Sequence, residues 1–509
     1  MTEQTHAHTH AHQGEPGRGA AASSMPAPAE RDPRMPRLAQ SPGFNESMLG
    51  GWGTPVRTPV IPSGAALAAH HHRARLAEAL PGRTIAISAG RAPVRANDTS
   101  FEFRADSDFL WLLGCGIEDA VLVIESVPGG HDATLYLPAP FRPGDDGFHA
   151  DPLRGELWVG PMPGLAEYAD ALDVRTRRIE ELVLGDDTLV AGAPTPVGPA
   201  AAALAAQPRS AELQRVLAEL RMIKDEWELA ELAAAVASTE QGFAAMAREL
   251  SSAIEWGGER WLQGTFDRYA RTVGNGPGYA SIVGSGAHAP ILHWVRADGG
   301  ISPDELLLLD VGVERRSGFT ADVTRTIPAG GTFTSAQRAV HDLVEASHRA
   351  GLAAVGPGRQ WSDFHAASME VIARGLHDWG MLPVSVDEAL APDGQQHRRY
   401  IVCGVGHHLG IDVHDCAGSS YAAYQGAVMQ PGMALTVEPG LYFHAFDETV
   451  PPELRGLGVR IEDDLVVTPT GHEVLSSGLP IDAAGLETWL AAARAGQPLP
   501  GAVDASSGR

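Results

Sequence analysis

Three stretches of the chain place carboxylates where a folded protein must account for them. In "LLLLDVGVERRSGFTADVTRT", Asp310 follows four leucines, Leu306 to Leu309, and Asp322 comes twelve residues later. Two β-rich runs flank the polar "ERRSG", which predicts a hairpin. A turn centred on Arg316 sets the two aspartates directly opposite each other, with Cβ atoms about 4.5–5.5 Å apart. Carboxylates that close repel unless a cation lies between them. The leucine run predicts a buried strand, where an unpaired carboxylate is costly. Either a metal or the nearby Arg315, Arg316 and Arg325 could neutralise the pair. In "VRIEDDLVV" the alternation of a strand puts Arg460, Glu462 and Asp464 on one face. Glu462 is either a second carboxylate fixed by Arg460 or half of an ordinary ion pair. In "LTVEPG", Glu438 ends a β-run, either as a ligand or as a solvated strand end.

"CGVGHHLGIDVHD" adds His407, His408 and His414. Its glycines allow close backbone approach. His408 should point away from its neighbour in an extended segment. Each residue alone has a structural explanation. Taken together, Asp310, Asp322, His407, Glu438 and Glu462 make four carboxylates and one imidazole, a charge that two divalent cations balance. An oxygen-rich set with one nitrogen favours Mn²⁺, with Zn²⁺ or Co²⁺ as alternatives. A single-zinc HExxH site is not supported, because His472-Glu473 lacks a second histidine at the required spacing.

The elements that must hold these residues follow from composition and periodicity. Residues 1–45 are rich in Ala, Pro, Gly, Ser and His and read as a disordered tail, with His6, His8, His10 and His12 able to bind metal only incidentally. Residues 46–205 read as an α/β domain, with strands in "RTIAISAG", "AVLVIESV" and "DATLYLP" and helices in "GLAEYADALD" and "RRIEELVLG". His70 to His72 read as the exposed part of a helix. The Pro/Ala-rich "AGAPTPVGPAAAALAAQPRS" suits a boundary. Residues 206–490 read as one or two long helices followed by a second α/β region, and 491–509 as a C-terminal tail. The overall class is α/β (α+β).

Bulk properties exclude several functions. The net charge is −25, from 38 basic and 63 acidic residues, which argues against nucleic acid or an anionic membrane as partner. Cys115, Cys403 and Cys416 form no CxxC pair, which argues against a zinc ribbon or disulfide scaffold and for a reducing cytosol, hence a cytoplasmic protein. No apolar run approaches the roughly 20 residues of a membrane span. The N-terminus lacks the pattern of a secretory signal. The single lysine, Lys224, follows no glycine-rich loop and reads as part of a charged, exposed helix, so neither a P-loop nor Schiff-base chemistry is expected.

The same motifs, with "YASIVGSGAHAPILHW" and "RGLGVRIEDDLVVTPTGHEVLS", resemble the signatures of aminopeptidase P, the Xaa-Pro aminopeptidases. "RANDTSFEFRADSDFLWLLG" and "GELWVG" are similar to that family's N-terminal domain. The resemblance covers about residues 50–490. It implies a C-terminal pita-bread catalytic domain behind an N-terminal α/β domain of the creatinase, ribonuclease H-like kind. It implies that Asp310 serves one metal, that Asp322 and Glu462 bridge two, and that His407 and Glu438 complete the second. It further implies that His293 and His414 orient the substrate, and that Arg460 positions a ligand carboxylate. Asp98 resembles an aspartate that reaches a neighbouring subunit's site in oligomeric members, so a homodimer or homotetramer is expected. The implied substrate is a peptide beginning Xaa-Pro, attacked by a hydroxide held between the two ions, with Glu438 moving the proton. Cys403 stands where many relatives carry a substrate-contacting histidine. The alternatives are a prolidase, which shares the ligands but takes dipeptides only, and a non-catalytic peptide-binding pita-bread protein.

Overall fold

The computed structural model describes residues 41–194 and 199–497. The histidine-rich run His6–His12, most of the expected tail and the end of the C-terminal tail lie outside the described residues. At the two margins, helix Pro42–Met48 overlaps the stretch expected to lack structure, and helix Ala483–Arg494 runs past residue 490.

A five-stranded mixed sheet forms the core of the N-terminal region, in the order Arg175–Arg178, Gly130–Leu137, Val121–Val127, Thr84–Ser88, Leu189–Gly192. Val127 pairs with Gly130, so Pro128–Gly129 is a two-residue turn, and Gly129 takes the positive φ of +88° that the position needs. "RRIEELVLG" does not form the expected helix. Its start belongs to the edge strand, which pairs in parallel with Gly130–Leu137, and only the single 3₁₀ turn Ile179–Glu181 follows. Helix Ala65–Ala79 packs Ala68, Ala69, His72 and Leu76 inward. Leu213 and Leu217 of helix Ala211–Arg221 are buried in the same apolar cluster as Ile85, Ile87 and Leu122. By itself, the segment pair 41–56 and 140–161 forms a small unit, in which the Trp52 and Phe148 rings meet edge-on at 5.0 Å.

The long helical stretch after residue 210 is two helices, Ala211–Arg221 and Glu226–Ser252. The break between them overturns the reading of Lys224. It is neither helical nor exposed: its amide donates to Gly432 O (2.9 Å), and its ammonium lies buried 3.2 Å from Asp415. His72 is likewise buried, because its partners come from the far side of that break. Beyond residue 273, two three-stranded sheets carry the polar residues of interest. One has the order Val323–Pro328, Leu306–Val311, Ile282–Ser285; the other is Ala434–Val437, Asp463–Thr468, Gly471–Val474. Helices Ser335–Ala354 and Ser362–Asp378 cover the second sheet's apolar side through Val344, Phe364 and Ile372, which cluster with Leu435, Val437 and Leu465.

Candidate metal centre

Strand Leu306–Val311 is buried along its whole length and delivers Asp310 into the interior. The hairpin register pairs Asp310 with Thr324 and Val311 with Val323. The turn spans Arg315 to Phe319, closed by Arg315 N–H to Phe319 O (2.8 Å), and is therefore centred on Ser317 and not Arg316. Asp322 is consequently a diagonal neighbour of Asp310 on the same face instead of its direct partner. Opposite Asp322 stands Gly312, where a Cβ would lie 1.7 Å from Ala321 O, so only glycine lets the strands close here. Tyr279 joins the two aspartates. Its hydroxyl donates toward Asp310 Oδ1 (2.7 Å) and Asp322 Oδ1 (2.6 Å).

The nearby hairpin arginines do not neutralise this pair. Arg325 turns away to Asp463 (2.6 Å) and to the carbonyls of Glu462, Leu479 and Pro480. Arg460 supplies the cation. Its guanidinium pairs with Asp310 Oδ2 and donates to Tyr442 Oη (3.0 Å) and Thr324 Oγ1 (3.1 Å). The expected Arg460–Glu462 contact gives way to this one because the strand ends at Arg460 and the chain crosses to the other sheet. Thr324 passes the connection on, donating its hydroxyl to Glu462 Oε2 (2.6 Å). Asp464, in the strand that follows, accepts from the backbone N–H of Asp322 (3.0 Å) and so fixes where that residue's main chain lies.

His407 enters from the loop that runs beside strand Ala434–Val437. A Cβ on Gly406 would sit 2.2 Å from Thr436 O, so the glycine permits this close pairing, and Thr436 N–H donates to His407 O (2.9 Å). The Nδ1 of His407 lies 3.0 Å from His408 O, a contact that makes Nδ1 the protonated nitrogen and leaves Nε2 facing inward. Nε2 lies 3.3 Å from Asp322 and 3.6 Å from Glu438. Glu438 reaches this point from the end of its strand, held by its N–H to Val405 O (3.0 Å). His408 turns the other way, stacked on Trp361 at 4.1 Å and edge-on to Tyr424 at 4.6 Å. Burial pushes its pKa down to about 3.

Electrostatics within the cluster are strained. Burial and the adjacent carboxylates push Glu438 up to about 7 and raise Glu462 well above its ordinary value. Burial raises Asp310 as well, although Arg460 opposes it. For His407, burial is outweighed by Asp322 and Glu438, which lift it to about 9. Among the described residues, Arg460 and His407 are the cations paired with this cluster. Ligand atoms of Asp322, His407 and Glu462 all lie within 4.8 Å of one another. The donor set thus fits divalent cations: it is anionic, oxygen-rich and short of positive charge. His414 packs its ring edge-on to His407, at 4.3 Å between centroids. It is exposed, and burial of part of the ring, with His407 and His293 nearby, lowers its pKa. His293 is exposed too and lies near His414. Cys403 is near enough to Glu438 that, after burial, this carboxylate raises its thiol pKa. Asp98 sits at the exposed tip of the hairpin Val94–Ser100. Sequence reasoning passed over Tyr279 and Thr324 and gave Asp464 a face but no role. Asp464 shared a face with Glu462, a usable signal; a tyrosine 31 residues before Asp310 carried none.

Comparison with known proteins gives one consistent result. Residues 228–469 match Metallopeptidase family M24, and residues 69–184 match the aminopeptidase P N-terminal domain. The chain is 45% identical over 458 residues to Xaa-Pro aminopeptidase 2 of Streptomyces coelicolor, covering 87% of this chain and 95% of that one. It is 30% identical to the Xaa-Pro aminopeptidase of Escherichia coli, covering 81% and 95%. Among solved structures, aminopeptidase P from E. coli with the inhibitor Pro-Leu superposes with a TM-score of 0.73 at 29% identity, covering 84% of this chain and 99% of that one.

Proposed function

The chain belongs to the Xaa-Pro aminopeptidases, and we propose on that premise that it releases the N-terminal residue from peptides with proline second. The observation that carries this reading is the meeting of Asp322, His407 and Glu462, with Asp310 and Glu438 beside them. These five residues are the proposed ligands of two divalent ions, with Mn²⁺ favoured by the oxygen-rich set. When bound, such ions supply an activated water and a Lewis acid for the scissile carbonyl.

The protein's own groups do the rest. His407 presents Nε2 because its Nδ1–H is committed to His408 O. Arg460 and Tyr279 fix Asp310 from two sides. Glu438, whose carboxylate lies 3.6 Å from His407 Nε2 at the end of its strand, is placed to take the proton of the attacking water and return it to the leaving prolyl nitrogen. His414 and His293, both solvent-facing, would donate hydrogen bonds to the carbonyl oxygen as it gains charge. Proline suits the scissile position because its peptide nitrogen has no N–H and its φ is fixed, so a shaped site can reject ordinary amides.

We place the enzyme in the cytoplasm, a reading supported by three free cysteines. Among the described residues no helix is long and apolar enough to cross a membrane. A homodimer or homotetramer is proposed from the likeness of Asp98 to a subunit-bridging aspartate. The test is cleavage of an Xaa-Pro-Yaa tripeptide by metal-loaded protein. Release of Xaa supports the reading; cleavage of Xaa-Pro dipeptides alone makes the protein a prolidase.

A further inference from the structure

The segment between His407 and Cys416 contains neither helix nor strand, yet it carries His414. Its ends are tied by Asp415 N–H to His408 O (2.9 Å), and Gly410 N–H closes on Asp412 O (3.1 Å). Side chains from two other places in the chain hold its outer side. From the N-terminal domain, Ser107 donates to Asp412 Oδ1 (2.5 Å) and Arg104 to Ile411 O (2.8 Å). Arg104 also pairs with Glu314 of the metal-site hairpin (2.7 Å).

From the end of helix Ala211–Arg221 comes Arg221, and from the break that follows it comes Lys224. Arg221 donates to Asp108 Oδ1 (2.9 Å) and Asp412 Oδ2 (2.7 Å) and also pairs with Asp415. Lys224 takes the other oxygen of Asp415 at 3.2 Å, with both side chains about 1% exposed. The fit is tight: a Cβ on Gly410 would lie 2.1 Å from Asp415 Oδ2 and 3.2 Å from Lys224 Cε. Lys224 is the only lysine among 38 basic residues.

We propose that the N-terminal domain positions His414: Arg104, Ser107 and, through Arg221, Asp108 clamp the loop that carries it, and Lys224 locks the loop's far end at Asp415. Arg221 and Lys224 are positioning residues, since they act on the reaction through His414. A buried carboxylate shared by two cations has one low-energy placement, and losing either partner leaves charge uncompensated. Asp415 is adjacent to His414 in the chain, so a shift of its carboxylate moves the imidazole. Misplacing a catalytic group by about 1 Å costs on the order of 10²-fold in rate. The inference rests on the proposed peptidase activity for its kinetics, but its structural part needs no substrate.

The test uses full-length, metal-loaded protein with Asp108→Asn, which keeps an acceptor but removes the charge. We expect kcat on an Xaa-Pro-Yaa tripeptide to fall roughly 10–100-fold, with KM within about threefold and metal content unchanged. Amides 408–416 should exchange faster. In combination with His414→Ala, Asp108→Asn should cost little more than His414→Ala alone, because the two act on one element. If the losses multiply, or if kcat and exchange both stay at wild-type values, the proposal is wrong. Ser107→Ala replaces Asp108→Asn should the latter not fold. Absence of activity in the wild type would count against the function instead, and the exchange comparison would still decide the clamp.

Discussion

Removing the charge on His72 should loosen the joint between helix Ala65–Ala79 and the start of helix Glu226–Ser252. The imidazole is 1% exposed and stacks on Trp111 at 4.4 Å. One ring nitrogen, Nδ1, lies 2.7 Å from Trp111 O, while Nε2 lies 3.0 Å from Asp225 and 3.6 Å from Glu228. Burial alone would lower its pKa; hydrogen bonds to Asp225 and Glu228 outweigh it and lift the value from 6.5 to about 9. The folded protein therefore holds the proton more tightly than the unfolded chain. That stabilisation is complete below pH 6.5 and is lost as pH rises through about 9. The difference corresponds to about 3 kcal/mol by linkage. The assay is urea unfolding of wild type and His72→Gln at about pH 6 and about pH 9.5. Wild type should lose roughly 2–3 kcal/mol more than the variant over that range. Equal pH slopes for the two proteins would refute the reasoning.

Other expectations follow from single contacts. Tyr279→Phe keeps the ring but removes the hydroxyl shared by Asp310 and Asp322; isothermal titration with Mn²⁺ should show affinity weakened roughly 10–100-fold. His414→Ala should lower kcat about 10²–10³-fold while leaving Mn²⁺ affinity near wild type, since its role is hydrogen bonding and not ligation. Gly312→Ala puts a methyl 1.7 Å from Ala321 O; it should yield insoluble protein or a thermal midpoint many degrees lower, and a normal midpoint would show that the hairpin can open there.

The sequence made some of this legible and hid the rest for physical reasons. The leucine run announced a buried strand, and Asp310 is indeed drawn inside with it. Alternation placed Arg460, Glu462 and Asp464 on one face, and they do point toward the hairpin. Register was harder. Two extra residues between the paired positions shift the centre from Arg316 to Ser317, so Asp310 faces Thr324 and not Asp322, and no pattern in "ERRSG" specifies that. Partner choice was harder still. His72 and Lys224 read as exposed because their own neighbours are polar or small, while the carboxylates that bury them lie 153 and 191 residues away. Charge pairing over such distances leaves no local signature. Arg460 shows the same limit: its neighbour in sequence is Glu462, but the chain's crossing between sheets hands it Asp310.

On the proposed function, Asp310, Asp322, His407, Glu438 and Glu462 hold the divalent ions with which this chain cuts before proline. The most direct measurement strips the protein with chelator, restores Mn²⁺, and follows an Xaa-Pro-Yaa tripeptide and an Xaa-Pro dipeptide alongside metal content. About two ions per chain, tripeptide cleavage that returns with metal, and loss of both in Asp322→Ala and His407→Ala are expected. Full metal occupancy with neither peptide cleaved, or activity that survives both substitutions, would contradict that function.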